Sequence, residues 1–365
     1  LDATQVASLY NEVYCVPTIV PTDNFEPVLY TGNSASDNSG TTQSITGVGF
    51  KPDLVWIKRR DGAENHYVHD STRGSTKQIY TNLTNAEYDE SNSVTSFDAD
   101  GFTLGGYNGS NNNGETYVAW NWKAGGTAVS NTDGSITSQV SANVDAGFSI
   151  VSYSGSTSGT TVGHGLNTPE VIIIKCTSTG STNWISYHQP LGDDYYLTLN
   201  STLAKANYNN WLQPNSTTFA LNQTFGNANT SGRDYVAYCF HSVDGYSKMG
   251  SYTGTGATGN TIVTGFRPAY LMTKRTDVSG YNWYIWDNKR SPTNPRDEVL
   301  QADTSSAEAD YSAYPHDFNS NGFTIDTNST AFNGSGATYI FMAFAEEGLP
   351  TVTRNAINPF GDSSE

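Results

Sequence analysis

The chain has 365 residues and a formal net charge of −17, with 18 Lys and Arg against 35 Asp and Glu. That balance repels phosphate backbones, so nucleic acid is excluded as the expected partner, and it weighs against an anionic membrane surface. Charged residues are only 15%, against roughly 25% in ordinary domains, and Asn, Thr, Ser, Gly and 23 tyrosines fill the polar surface instead. This palette suits an extracellular β-protein rich in uncharged hydrogen bonds.

In chain order, "LDATQVASLYNE" is the best helical pattern. Asp2 caps it with Gln5 three residues on, and Val6, Leu9 and Tyr10 share one face. Because the segment opens abruptly, without Met or a signal peptide, the chain is expected to be part of a longer polypeptide. Then one sentence is written three times: "GFKPDLVWIK" from Gly49, "GLNTPEVIIIK" from Gly165 and "GFRPAYLMTK" from Gly265. Each is a proline turn, an apolar run and a lysine.

Other landmarks keep the same order around Pro52, Pro169 and Pro268. Tyr-x-Gly begins at Tyr30, Tyr153 and Tyr252, which lie 22, 16 and 16 residues upstream. Asn65, Asn183 and Asn282 open a mostly aromatic strand 13, 14 and 14 residues downstream. Alanine-containing segments follow at Ala86, Ala204 and Ala307, then Phe102, Phe219 and Phe323, then closing strands at Tyr117, Tyr235 and Tyr339. The proline-to-closing-tyrosine spans of 65, 66 and 71 residues establish a triplication.

The runs "DLVWIK", "VIIIK" and "YVAYCF" are short, β-branched and aromatic, and bounded by turn residues, which predicts strands. Their nearly continuous apolar character predicts cover on both faces. The expected fold class is all-β: three tandem antiparallel β-sandwich (jelly-roll-like) modules with little helix. "STLAKAN" and "SSAEAD" are expected to make a helical turn or two, and "SITSQVSA" an edge strand. The units are read as residues 25–126, 127–245 and 246–349, with a tail at 350–365. The junction "VDGYSKMG" leaves almost no linker between the second and third units, which implies a fixed orientation. No stretch reaches 18 consecutive apolar residues, so no membrane insertion by a helix is expected.

Catalytic chemistry would be lopsided among three copies. His66 and His69 lie three apart on a strand, on opposite faces, which suits no single metal. Their counterparts are Trp184 and Tyr187, then Trp283 and Trp286, so both occupy aromatic slots. "SFDADG" starts like a calcium loop but lacks the later ligands and the closing Glu. Three cysteines, Cys15, Cys176 and Cys239, form neither a disulfide framework nor a zinc motif. No cofactor and no catalytic residues are expected. A polysaccharide depolymerase would need two carboxylates roughly 5–10 Å apart in a groove, for which Asp193 or Asp194 opposite Glu170 are the candidates.

What varies is the loop before each closing strand. Each places one aromatic among amides and hydroxyls: Tyr107 with Asn108, Phe225 with Asn227, Phe332 with Asn333. An aromatic face beside amides fits a sugar, and the same palette serves adaptable protein-binding loops. The same ring could instead fold back and plug the core edge. Trp211, in "NYNNWLQPN", is a further candidate ligand contact or core plug.

The blocks "GFKPDLVWIKRR", "GFSIVSYSG", "TVGHG", "NWISYH", "YVAYCF", "GYSKMGSYTGTG" and "GFRPAYLMTKRT…YIFMAFAE" resemble a repeat family of virion proteins from tailed phages, especially those of marine bacteria. The resemblance covers about Phe25 to Leu349. In that family such repeats often follow a laminin-G-like (concanavalin-like) domain, and Leu1 to Glu12 is similar to its closing helix, which implies that residues 1–24 are a helix-containing remnant of that preceding domain. The resemblance implies a virion-surface place, as tail fibre or appendage, made in the host cytoplasm. Expected partners are a host cell-surface glycan or protein and other virion proteins, with a homotrimer by analogy to phage fibres. A mainly structural appendage making subunit contacts, and a depolymerase, are the alternatives.

Overall fold

The structure is a computed structural model that describes residues 19–222 and 225–346. The Leu1–Glu12 segment, Cys15 and the 350–365 tail lie outside the described residues. The fold is all-β, a set of antiparallel β-sandwiches.

One large sheet recurs three times with the same strand order. In the first copy, the opening strand Phe25–Thr31 pairs with the closing strand Thr116–Trp122. The proline strand Leu54–Arg59 follows, then His66–Asp70, Gly74–Tyr80 and the short Tyr88–Asp89. The second copy repeats this with Phe148–Ser154, Asp234–Phe240, Val171–Cys176, Ile185–His188, Tyr195–Thr198 and Ala206–Asn207. The third has Ser247–Thr253, Thr338–Ala345, Pro268–Arg275, Trp283–Asp287, Glu298–Gln301 and Ala309–Asp310. A three-stranded sheet covers each: Gln43–Thr46, Gly101–Leu104 and Val94–Asp98 in the first copy, with counterparts in the other two. The second copy adds Val129–Asn131 and Ser138–Asn143 beyond its opening strand, so "SITSQVSA" does form a strand, second from the edge.

Alternate residues of the central strands serve two cores. Val55, Ile57, Tyr67, Phe102 and Tyr117 fill the space between the two sheets of the first copy, and the other copies have matching private cores. The opposite faces meet at a shared axis: Trp56, Trp120 and Trp122 from the first copy, Ile173, Trp184 and Tyr238 from the second, Tyr270, Met272 and Met342 from the third. This accounts for the unbroken apolar runs, since each central strand is buried on both sides.

The copies close into a ring. Glu87 N donates to Thr177 O, Lys205 N to Thr276 O and Glu308 N to Arg60 O, at 2.8, 2.9 and 2.8 Å. Ring nitrogens repeat the pattern: Trp184 Nε1 to Tyr80 O at 2.7 Å, Trp283 Nε1 to Thr198 O at 3.0 Å, His66 Nε2 to Gln301 O at 3.0 Å. The third copy thus hands back to the first, as in a closed head-to-tail trimer. The first seam joins copies one and two, the second joins two and three, and the closing seam joins three and one.

The alanine-containing segments are not helical turns. Residues 202–205 and 305–308 run as irregular arms with no helix, because their backbone groups bond the next copy: Gly280 N to Thr202 O and Glu64 N to Ser305 O, both 2.8 Å. A helix would withdraw those groups. The repeated lysines Lys58, Lys175 and Lys274 are fully buried and donate to loop carbonyls. Burial lowers each to about 8.

The glycine of Tyr-x-Gly is fixed by close approach. A Cβ on Gly32, Gly155 or Gly254 would lie 2.2, 2.4 or 2.1 Å from a carbonyl oxygen of the loop before the closing strand.

Candidate functional site

The variable loops are held from below by one buried asparagine each. Asn111, Asn229 and Asn333 accept from Asn33 N, Ser156 N and Thr255 N at 2.9, 2.8 and 2.8 Å. Their amides donate back to carbonyls of the same region. Four residues earlier, Tyr107, Phe225 and Ser329 accept the loop's turn bond from that asparagine's N–H. Tyr107 and Phe225 are therefore equivalent, and the third copy's counterpart is Ser329; Phe332 sits at the position of Ser110 and Ala228.

These placements separate the candidates. Phe332 is 1% exposed and packs edge-on to Tyr284 at 4.7 Å, with Trp286, Tyr311 and His316 around it. Its loop has turned inward, so no ring face is free for a ligand, and Asn333 beside it is the buried clasp. Trp211 is also 1% exposed, closes the second private core and donates to Tyr195 O at 3.1 Å. Phe225 is half-buried, with its ring stacked on Tyr208 at 4.7 Å and against Tyr196 at 5.3 Å. Asn227 accepts Asn183 N at 2.8 Å, which fixes the start of the aromatic strand. Asn108 N is tied to Asp37 at 2.6 Å and its carbonyl to Tyr117 OH at 3.1 Å.

Tyr107 differs. Its ring stands edge-on to Tyr67 at 5.6 Å, and Tyr67 is likewise 5.6 Å from Tyr80. The outer side of Tyr107 faces an open groove of about 640 Å³, lined also by Tyr80, Asn85, Tyr88, Glu90 and Ser181. Tyr88 is 54% exposed. The groove lies on the first seam, since Ser181 comes from the second copy. Burial raises the Tyr107 hydroxyl above the ordinary tyrosine range and takes Tyr80 to about 12, so both stay neutral donors.

The register shows why only this copy is open. Tyr88 pairs opposite Gln78, where the other copies have Ala206 opposite Tyr196 and Ala309 opposite Val299. Two residues on, Glu90 replaces Tyr208 and Tyr311, the rings that pack against Phe225 and Phe332. The first copy lacks that covering ring and has an outward tyrosine instead. Tyr80, Tyr88 and Glu90 lie outside the variable loops that the sequence singles out. Their signal was the mismatch at aligned arm positions beside Ala86, Ala204 and Ala307.

The remaining polar groups have structural partners. Asp193 accepts from Tyr187 OH at 3.3 Å, Asp194 from Asn210 N at 2.7 Å, and Glu170 from Ser242 N at 2.8 Å. Asp100 accepts from Gly49 N and Gly47 N in the calcium-like turn, at 2.7 and 3.1 Å. His66 accepts Trp56 Nε1–H at Nδ1, so its proton sits on Nε2, and burial holds it well below the ordinary histidine range. Cys176 and Cys239 are buried, and burial raises Cys239 to about 12. Among the described residues, no group of three or more His, Cys, Asp or Glu is arranged for a metal ion, and no helix is long and apolar enough to cross a membrane.

Fold and groove together define a ring of three β-sandwich units in a single chain, with a tyrosine-lined cleft at the first seam. Residues 20–348 match a family described as a domain of unknown function, DUF7483, and the chain belongs to that family. No curated protein and no solved structure matches it.

Proposed function

We propose that the chain is a non-enzymatic virion surface protein, a fibre or appendage that attaches to a host-surface glycan through the first-seam groove. The observation that carries this reading is the outward face of Tyr88, 54% exposed, beside half-buried Tyr107 and Tyr80. Aromatic faces with a few fixed polar groups are the chemistry of a site that stacks a sugar ring and bonds its hydroxyls. Asn85, Glu90 and Ser181 supply those groups. The charge-poor surface and the resemblance to phage virion repeats support a place outside the cell.

Other virion proteins are the expected partners. A homotrimer would assemble through surfaces outside the three seams, because the seams are satisfied within one chain. A glycan array and host-cell binding assay test the reading. Tyr88→Ala and Tyr107→Ala should each reduce binding at least tenfold, and Phe332→Ala should act on stability instead. Unchanged binding by the Tyr88→Ala, Tyr107→Ala double variant would overturn it.

A further inference from the structure

The three seams repeat the same contacts, so each serves as a control for the other two. At the first seam, Arg73 bonds Asp70 at 2.6 Å and Glu87 at 3.0 Å. At the closing seam, Arg290 bonds Asp287 at 2.6 Å and Glu308 at 3.0 Å. The second seam has His188, Leu191 and Lys205 at the positions of the Asp, the Arg and the Glu. Loss of the large guanidinium and reversal of the arm charge leave a groove of about 360 Å³, lined by Leu191, Lys205, Ser251, Thr253, Thr276 and Thr338 among others.

The groove has one cation and a bank of hydroxyls. Lys205 Nζ stands 4.5 Å over the Tyr195 ring, and its backbone N–H is fixed to Thr276 O at 2.9 Å. Thr276 is buried, and its hydroxyl lies 2.7 Å from that of Thr338. Ser251, Thr253 and Thr338 are exposed around the mouth. A cation among hydroxyl donors, in a chain otherwise dominated by carboxylates, selects an oxyanion.

We infer that this groove binds the carboxylate of an acidic sugar, with Lys205 as its counter-ion and the exposed hydroxyls of Ser251, Thr253 and Thr338 as donors. This rests on the glycan-attachment reading, and it adds a second subsite with a charge requirement. The carboxylate pairs with a cation that stands where the other seams have Glu87 and Glu308, in the space that Arg73 and Arg290 fill there.

The test is a titration with glucuronate, with glucose as the neutral control, followed by NMR on protein whose lysines carry ¹³C-methyl labels. Glucuronate should shift the Lys205 signal, glucose should not, and raising the salt should weaken the effect. Lys205→Gln, a change at an exposed side chain, should weaken glucuronate binding at least tenfold. Leu191→Arg with Lys205→Glu, which rebuilds the ion pair of the other seams, should abolish it while keeping the fold. Glucuronate that leaves Lys205 unmoved, or binding by Lys205→Gln within about twofold of the parent, would overturn the inference. Tyr88→Ala should leave glucuronate binding intact, so failure of the first-seam groove and failure of this subsite are separable.

Discussion

The closing seam and the second seam share a backbone and differ in chemistry. Both have the arm bonds and the ring N–H donor: His66 to Gln301 at the closing seam, Trp283 to Thr198 at the second. Only the closing seam buries a charge network, in which Trp120 Nε1 donates to Asp287 at 2.9 Å and Arg60 joins Glu308 at 2.7 Å. At the second seam Met342 stands where Trp120 stands, and His188 donates Nε2–H to Phe341 O at 3.1 Å. Donor and acceptor disappear together. The difference shows that backbone bonds and the apolar axis hold all three copies, and that the ion pairs are a replaceable layer which fixes how two of the seams mate.

That layer can still be costly to break. Asp287 and Arg290 have fully buried side chains. Asp287→Ala strips Trp120 of its acceptor and leaves the buried Arg290 with Glu308 as its remaining carboxylate beside the carbonyls of Ile285 and Glu298, so a loss of about 3–5 kcal/mol is expected. Urea unfolding measures it. Asp70→Ala should behave alike, with Tyr238 as the orphaned donor. A loss under about 1 kcal/mol at both sites would make the two kinds of seam energetically equal and end the distinction.

Much of the scaffold was readable from the sequence, because it rests on local signals. Pro52 and Pro169 precede, and Pro268 opens, strands that are apolar on both faces, and each strand is buried on both sides. The identity of the second cover was not readable, since no local pattern tells a second sheet from a neighbouring copy. The arms depart from the helical turns their alanines favour, because alanine propensity is local and their hydrogen-bond partners lie in another copy. The loop alignment slipped by three residues at Phe332, because a ring at either position can fill the same hole over Tyr284. Of the site, Tyr107 was legible as a loop aromatic. Tyr88 and Glu90 were not, since their meaning depends on which ring is missing from the cover.

Two seams should be acid-sensitive: the closing seam through His66, which burial holds well below the ordinary histidine range, and the second seam through His188. Burial lowers His188 to about 4, and its only charged-form support is a carbonyl. Asp70, Arg73, Asp287 and Arg290 all lie at the other seams. A histidine lowered in the folded state binds protons better when unfolded, so stability falls as pH drops from 6.5 towards 4. His69 and His316, also lowered to about 4 by burial, contribute the same loss in the private cores. His188→Gln keeps an N–H for Phe341 O and removes one share. Near pH 4 it should narrow the acid loss by roughly 2–3 kcal/mol relative to the parent, read from urea midpoints across pH. An unchanged pH profile would show that His188 protonates without opening the seam.

The smallest expected effect tests what the seams have in common instead of what divides them. Asn111, Asn229 and Asn333 are all fully buried, and each ties its loop to the turn after the opening strand. Alanine at any one of them orphans a backbone N–H and a carbonyl, at a cost of about 1–3 kcal/mol. Asn111→Ala and Asn229→Ala should agree within about 0.5 kcal/mol, since the two clasps lie too far apart to couple, and Asn333→Ala should cost more, because Asn333 also accepts from Asn260 at 2.8 Å and donates to Ala257 O at 2.6 Å. Asn333→Ala should leave glycan and glucuronate binding intact, because its side chain faces the core. A gap well above that between Asn111→Ala and Asn229→Ala would mean that the first two copies have diverged in scaffold as well as at their seams, and an Asn333→Ala cost no larger than the others would mean that its extra bonds add nothing to the third loop.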